Sequence, residues 1–231
     1  MRKEIFRTTL IVMLLSAFTN LINADDIKGL WNLDEKSVSE KAKDDSGNNL
    51  HGKYSAAAIP GKKGRSDYDK AVKFNGKSYI NLKTPEELTG LTDKFTVEAW
   101  IKPDTVKGSQ RVISCSSPDG FGFGIKDGEL IFTFFRVFDH ISSGAKIEPR
   151  KWCHIAAVID TANPVNVVTF YKNGILLKRV THVDHTPGKK STKPLCIGAA
   201  SDGSEGFHGL IDEVVIFGKP LSQKEIAKHL K

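Results

Sequence analysis

Residues Gly209–Leu221 read GLIDEVVIFGKPL, and this stretch decides the fold. Its apolar residues alternate with a period of two. Leu210, Val214 and Ile216 fall on one side, with Asp212 among them. Ile211, Val215 and Phe217 fall on the other, with Glu213. A strand with apolar groups on both sides is covered on both faces, so it belongs in the middle of a sheet. A carboxylate there needs a partner, because an unpaired buried charge is costly. Asp212 is therefore the residue to explain.

The same period recurs outward from this strand. In FTVEAWI, Phe95–Ile101, the residues Phe95, Val97, Ala99 and Ile101 share one face, and Thr96, Glu98 and Trp100 share the other. Asn75–Gly76, Asp127–Gly128 and Asn173–Gly174 each lie between apolar runs and suit type I′ hairpin turns. Further strands read at Ile27–Leu33, Arg111–Ser114, Phe121–Ile125, Glu129–Phe135, Trp152–Asp160 and Pro194–Gly198. Helical periodicity is confined to the end. Ser222-Gln223-Lys224-Glu225 forms a capping box, with Leu221 and Ile226 spaced as its hydrophobic staple. The expectation is an all-β fold: a two-sheet antiparallel jelly-roll β-sandwich with a short C-terminal helix.

Met1–Ala24 has a basic start (Arg2, Lys3, Arg7), the apolar run Leu10–Phe18 and the small Ala24 before Asp25–Asp26. It reads as a secretory signal peptide cut after Ala24, the alternative being an uncleaved anchor. Residues 25–231 then form a single domain that is secreted, or periplasmic in a bacterium. No other apolar run approaches the roughly 20 residues a membrane span needs. The net charge of +7 suits acidic glycans, and also ordinary solubility. Cys115, Cys153 and Cys196 are an odd number, so an exported chain could form one disulfide and keep one thiol. No CxxC or His/Cys zinc spacing occurs, and nothing resembles a nucleic-acid module.

Two stretches offer binding chemistry. Asp44–Gly52, DDSGNNLHG, is dense in turn formers and oxygen donors of the kind calcium takes. Asp212 would add a carboxylate from a strand, or would instead accept loop amides with no metal. In Phe135–His140, FRVFDH, the residues Arg136, Phe138 and His140 alternate on one side and are the candidate ligand-binding residues. Basic loops at Lys62, Lys63, Arg65 and at Lys189, Lys190, Lys193 read as solvated. There is no G-x-S-x-G, H-E-x-x-H or phosphate-cradling glycine loop. Asp139–His140 and Asp184–His185 are adjacent pairs with no nucleophile beside them.

The order of motifs resembles the laminin G-like jelly roll of the concanavalin A-like lectin/glucanase superfamily. The residues that carry the likeness run along the whole of 25–231. They include Gly29–Glu35, Asp44–Asn48 with Gly52, Ala71–Gly76, Phe95–Ile101, Trp152–Ala156, Tyr171–Gly174, Leu195–Gly198, Gly209–Val214 and Leu221–Ser222 with Glu225–Ile226. The resemblance implies a calcium held by Asp44, Asn48 and Asp212, although Asp45 stands where a Ser is more usual. Related glucanases carry ExDxxE on one strand, and no such string occurs here, so no catalytic site is expected. The resemblance thus implies a secreted, non-catalytic module for an extracellular carbohydrate or glycoprotein, with a structural calcium. The alternatives are a protein-binding adhesive module and, third, a polysaccharide-degrading enzyme with an unrecognised site.

Overall fold

The computed structural model describes residues 26–230 apart from 117–118, 145, 163–164 and 183–187, and only the backbone of Phe138, Ala162 and Asn166. The signal-peptide reading of Met1–Ala24 and the pair Asp184–His185 therefore lie outside the described residues. The described chain runs β1 (Ile27–Trp31), β2 (Lys41–Ala42), β3 (Gly52–Tyr54), β4 (Ile59–Lys63), β5 (Lys70–Asn75), β6 (Ile80–Asn81), α1 (Glu86–Thr89), β7 (Lys94–Pro103) and β8 (Ser109–Ser114). It continues through β9 (Phe121–Lys126), β10 (Glu129–Phe134), β11 (Phe138–Ile141), β12 (Cys153–Ala162), β13 (Val165–Lys172), β14 (Ile175–His182), β15 (Cys196–Ile197), β16 (His208–Phe217) and α2 (Gln223–Lys228).

These strands form two eight-stranded antiparallel sheets. Sheet A has the order β14-β13-β12-β7-β16-β5-β4, with β1 pairing the second half of β16. Sheet B has the order β11-β10-β9-β8-β15-β6-β3-β2. The strand that carries Asp212 is central: β7 lies along one edge of β16, and β5 and β1 share the other. Between the sheets lies the main core. Phe95, Val97, Ala99 and Ile101 all face it from β7, as the alternation requires. Phe95 meets Phe121 at 5.0 Å and Phe132 at 5.8 Å between ring centres. The outer face of sheet A has a second apolar cluster, where Phe217, Leu221 and Ile226 pack on Ala156, Val158 and Tyr171. The capping box of α2 is formed by Ser222 and Glu225.

Two readings of the sequence change. Asp127–Gly128 and Asn173–Gly174 turn hairpins with positive φ at both residues. Asn75–Gly76 does not: β5 lies in sheet A and β6 in sheet B, and the turn carries the chain across the sandwich. Gly76 N–H donates to Phe207 O, and the Asn75 side chain accepts Lys77 N–H, so tertiary contact settles the turn. The simple alternation of β16 also breaks. Asp212 opposes Trp100 and Val215 opposes Glu98, which leaves one extra residue on β16. Glu213 has φ 46° at this bulge. Beyond it the faces exchange: Ile211, Val214 and Ile216 enter the core, while Asp212 goes with Val215 and Phe217 to the outer face.

All three cysteines carry free, buried thiols, so the possible disulfide is not formed in this structure. Burial pushes the thiols of Cys115 and Cys153 up to about 11. Replacing Phe132 by Ala should lower the unfolding free energy by about 3–5 kcal/mol in urea titration. Tyr68→Ala, at a side chain 83% exposed, should change it by no more than about 0.5 kcal/mol.

Candidate functional site

The bulge in β16 organises an acidic cluster on the outer face of sheet A. The loop between β4 and β5 folds over it. Within that loop Asp69 Oδ2 accepts Arg65 N–H at 2.9 Å, and Gly64 N–H donates to Asp69 O. A Cβ on Gly64 would lie 2.5 Å from Asp69 Oδ2, so a larger residue there would push the carboxylate from its place. The Arg65 guanidinium bonds Glu213 Oε1 and lies 4.2 Å from the centre of the Trp100 ring. Oxygens of Asp69, Asp212 and Glu213 all lie within 4.8 Å of one another. Asp212 is 0% exposed, and neither of its oxygens receives a hydrogen bond from an N–H or O–H donor among the described residues. Its close neighbour Asp69 is another acceptor. Burial, then the charges of Asp69 and Glu213, push Asp212 up to about 10 against the pull of Arg65. Burial also raises Glu213, opposed by Arg65.

Beside the acids lies a buried Glu98 flanked by two histidines. His229 Nδ1 lies 2.6 Å from Glu98 Oε1, and His154 Nε2 lies 3.7 Å from Glu98 Oε2. His154 meets Trp100 edge-on at 5.4 Å, and His229 stacks on Phe217 at 5.3 Å. Burial works against a charged His229, but the hydrogen bond and charge of Glu98 keep it raised. At His154 burial prevails and holds it low. These contacts tie the end of α2 to β7.

The sequence-derived metal residues lie in two places. Asp44 Oδ1 accepts Leu30 N–H and Ser46 N–H, each at 3.0 Å, and its Oδ2 accepts Leu50 N–H at 2.9 Å. Burial would raise this carboxyl, but its hydrogen bonds from Ser46, Leu50 and Leu30 hold it low. Asn48 Nδ2 donates to Ile27 O and Lys28 O, closing the loop onto β1. Asp212 belongs instead with Asp69 and Glu213, and Asp44 is not in that group. Sequence reasoning passed over Asp69 because GRSDYD looks like any polar loop; the glycine before Arg65 was its faint signal.

The sequence-derived ligand residues also separate. Across sheet B one ladder row reads Tyr54, Ile80, Ile197, Ile113, Phe123, Phe132, His140, and it faces the core. His140 is fully buried in it, and burial lowers it to about 4. The adjacent row reads Lys53, Asn81, Cys196, Ser114, Gly122, Thr133, Asp139 and faces outward. Arg136 is exposed at φ 64° in the β10–β11 turn, and Phe138 opposes Phe134 in the ladder. The outward residue of β11 is therefore Asp139. It accepts Thr133 Oγ1–H at 2.6 Å, while Arg111 donates to Thr133 Oγ1 at 3.0 Å and to Glu205 Oε2 at 2.8 Å. The Arg111 guanidinium lies 5.4 Å from the Phe135 ring. Phe135, Arg136 and Asp139 are accessible on the β8–β11 side of sheet B, and the buried Arg111 lies beneath Phe135.

A family match spans residues 74–227, about two thirds of the chain, and is described as the concanavalin A-like lectin/glucanases superfamily. The chain belongs to this superfamily, in its Laminin_G_3 family. A comparison with curated proteins finds no match. Among solved structures, the fold is similar to domain 4 of AbnA, a GH43 extracellular arabinanase from Geobacillus stearothermophilus in complex with arabinotriose. That likeness has a TM-score of 0.67 and 18% identity, over 89% of this chain and 98% of that one. It is also similar to the binding domain of Paraclostridial Mosquitocidal Protein 1, with TM-score 0.70 and 19% identity over 90% of this chain and 52% of that one. A Trypanosoma rangeli sialidase in complex with sialic acid gives 0.62 and 15%, over 98% of this chain and 38% of that one. The chain thus spans about half of the mosquitocidal binding domain and less of the sialidase. At these identities the likenesses show a shared lectin-like sandwich. Among the described residues no helix is long and apolar enough to cross a membrane.

Asp212 holds its proton in the folded chain up to about 10, against about 4 for a free carboxyl. Between those values the folded state binds more protons than the unfolded state, so stability falls as pH rises. In EDTA the slope due to Asp212 should reach at most about 1.4 kcal/mol per pH unit, and Asp212→Asn should flatten it. Urea midpoints across that range check this; equal slopes for both proteins would remove the buried acid from the account.

Proposed function

We propose that the chain is a secreted, non-catalytic module that binds an extracellular carbohydrate or glycoprotein and is steadied by calcium. The binding reading is carried by the β8–β11 face of sheet B. There half-buried Phe135 and exposed Arg136 stand over Arg111, which is itself buried and held by Glu205 and Thr133, so that it braces the face from beneath. Aromatic rings next to fixed polar groups suit sugar, whose ring face is apolar and whose rim is hydroxylated. The related arabinanase domain in complex with arabinotriose supports this class of ligand. Against catalysis, Asp212 and Glu98 are buried beyond the reach of a glycosidic bond. Exposed Ile175 and Leu176 on the edge strand β14 favour a second reading, adhesion to a protein. Export rests on the Met1–Ala24 pattern of the sequence.

Calcium is the group that would relieve Asp212. Two carboxyls in contact need a proton or a cation between them, and calcium takes six to eight oxygens. Asp69, Asp212 and Glu213 would hold it, with Arg65 already sharing Glu213. The ion would supply charge that keeps the acids ionised and the β4–β5 loop in place. Asp44 and Asn48 would support β1 from the neighbouring loop.

Millimolar calcium should raise Tm by several degrees, EDTA should reverse it, and Asp212→Asn or Asp69→Asn should abolish it. No shift in the wild type would leave the cluster to a proton. On a glycan array the protein should bind at least one sugar, and Arg136→Ala and Phe135→Ala should each weaken it about tenfold with unchanged Tm. Binding to no glycan, with capture of a defined protein, would favour adhesion.

A further inference from the structure

On the opposite flank of sheet B from Arg111, a cleft of about 520 Å³ opens beside β2, β3 and β6. Lys41, Lys53, Lys83, His51, Asn49 and Asn81 line it. Lys41 and Lys53 stand directly opposite each other in the β2–β3 ladder. Like charges so placed destabilise a sheet unless something relieves them. Neighbouring Lys43 is paired with Asp45. Lys41, Lys53 and Lys83 have no ion-pair partner among the described residues. The acid at the rim, Glu40, accepts Lys36 N–H with its Oε1.

The remaining groups are mostly donors or strained supports. His51 Nδ1 accepts Asp44 N–H at 3.0 Å, so the neutral ring carries its proton on Nε2. Lys83 has φ 63° and donates its N–H to Asn81 Oδ1 at 2.7 Å, which fixes its turn at the cleft. Asn49, on the other side, has φ 59°. Backbone strain of this kind is kept where the surroundings impose it. Val38, 40% exposed, adds an apolar wall.

We propose that this cleft binds an anionic oligosaccharide through a carboxylate or sulfate on one of its sugars. The proposal rests on the glycan reading above and narrows it to a class of sugar held at a second place. Three unpaired ammonium groups supply the charge, and the Asn amides and His51 address hydroxyls. Apart from His51 no ring lines the cleft, so a nucleic-acid base would find no stacking platform. Its volume is in the range of small-ligand sites and suits one or two sugar rings.

Titration calorimetry on the full chain at low and moderate salt tests it. The probes are a galacturonate trimer, a sulfated galactose trimer, neutral galactotriose and a short single-stranded oligodeoxynucleotide. At least one anionic trimer should bind about tenfold tighter than the neutral one, and salt should weaken that margin. Which trimer does so separates carboxylate from sulfate. The double variant Lys41→Gln/Lys53→Gln should lose about tenfold for the anionic trimer and keep any neutral binding. It should melt no lower than the wild type, because it removes a like-charge pair. Equal binding of neutral and anionic trimers overturns the cleft and leaves the glycan reading standing. Loss in Arg136→Ala but not in the double variant also overturns the cleft. Stronger binding of the oligonucleotide overturns it in favour of nucleic acid. No binding of either anionic trimer overturns the cleft, and the glycan reading is then judged by the array alone.

Discussion

A carboxyl group sealed into the central strand of a sheet constrains everything laid against that strand. β16 has hydrogen-bonded neighbours on both edges, so it cannot move aside to expose Asp212. An unbroken alternation would send Asp212 into the core with Val214 and Ile216, among phenylalanines that offer it nothing. The bulge at Glu213 prevents this by turning the second half of the strand over. It requires a left-handed residue, which costs a non-glycine side chain about 1–2 kcal/mol. Glu213 nevertheless occupies it, and its carboxylate reaches Arg65. The local strain and the ion pair are two sides of one arrangement.

That arrangement gives the two sheets different characters. The outer face of sheet A is closed over: Arg65 covers Trp100, Glu98 draws in His229 and His154, and α2 seals the end with Leu221 and Ile226. Its polar groups are internal, and their chemistry bears on stability and on the position of loops. The outer face of sheet B carries a row of small and polar residues, with charge concentrated at either flank. The middle of that row, Cys196, Ser114, Gly122 and Thr133, is buried, and exposure returns at Lys53 and Asp139 on its two ends.

The fold was legible wherever backbone geometry alone decides. The period of two in Phe95–Ile101 survives because β7 is regular over that length, and Asp127–Gly128 and Asn173–Gly174 fix their hairpins by φ. Asn75–Gly76 misled because its partners, Phe207 and His208, arrive from far along the chain. The bulge was hidden for the same reason: Arg65, which holds Glu213, is 148 residues away. Asp44 was legible as a special carboxylate, but its oxygens go to three amides, a use that composition does not distinguish from metal binding. On β11 the alternation was right and its phase was not, so His140 turned inward and Asp139 outward.

The phase of β11 matters because of what lies three strands away. Arg111 starts on β8 and reaches Thr133 on β10, so its side chain must cross β9. It crosses at Gly122, where a Cβ would stand 3.1 Å from Arg111 Nη1. The strand FGFGIK thus alternates large and absent side chains: Phe121 and Phe123 fill the core, and the glycines clear the outside. Glycine weakens a strand interior, so its use on one face only implies a gain there. The gain is a guanidinium bonded to both Glu205 and Thr133, with Asp139 completing the chain of hydrogen bonds. A guanidinium buried and bonded on both sides ties β8 to β10 and so fixes the backbone from which the exposed β10–β11 turn projects.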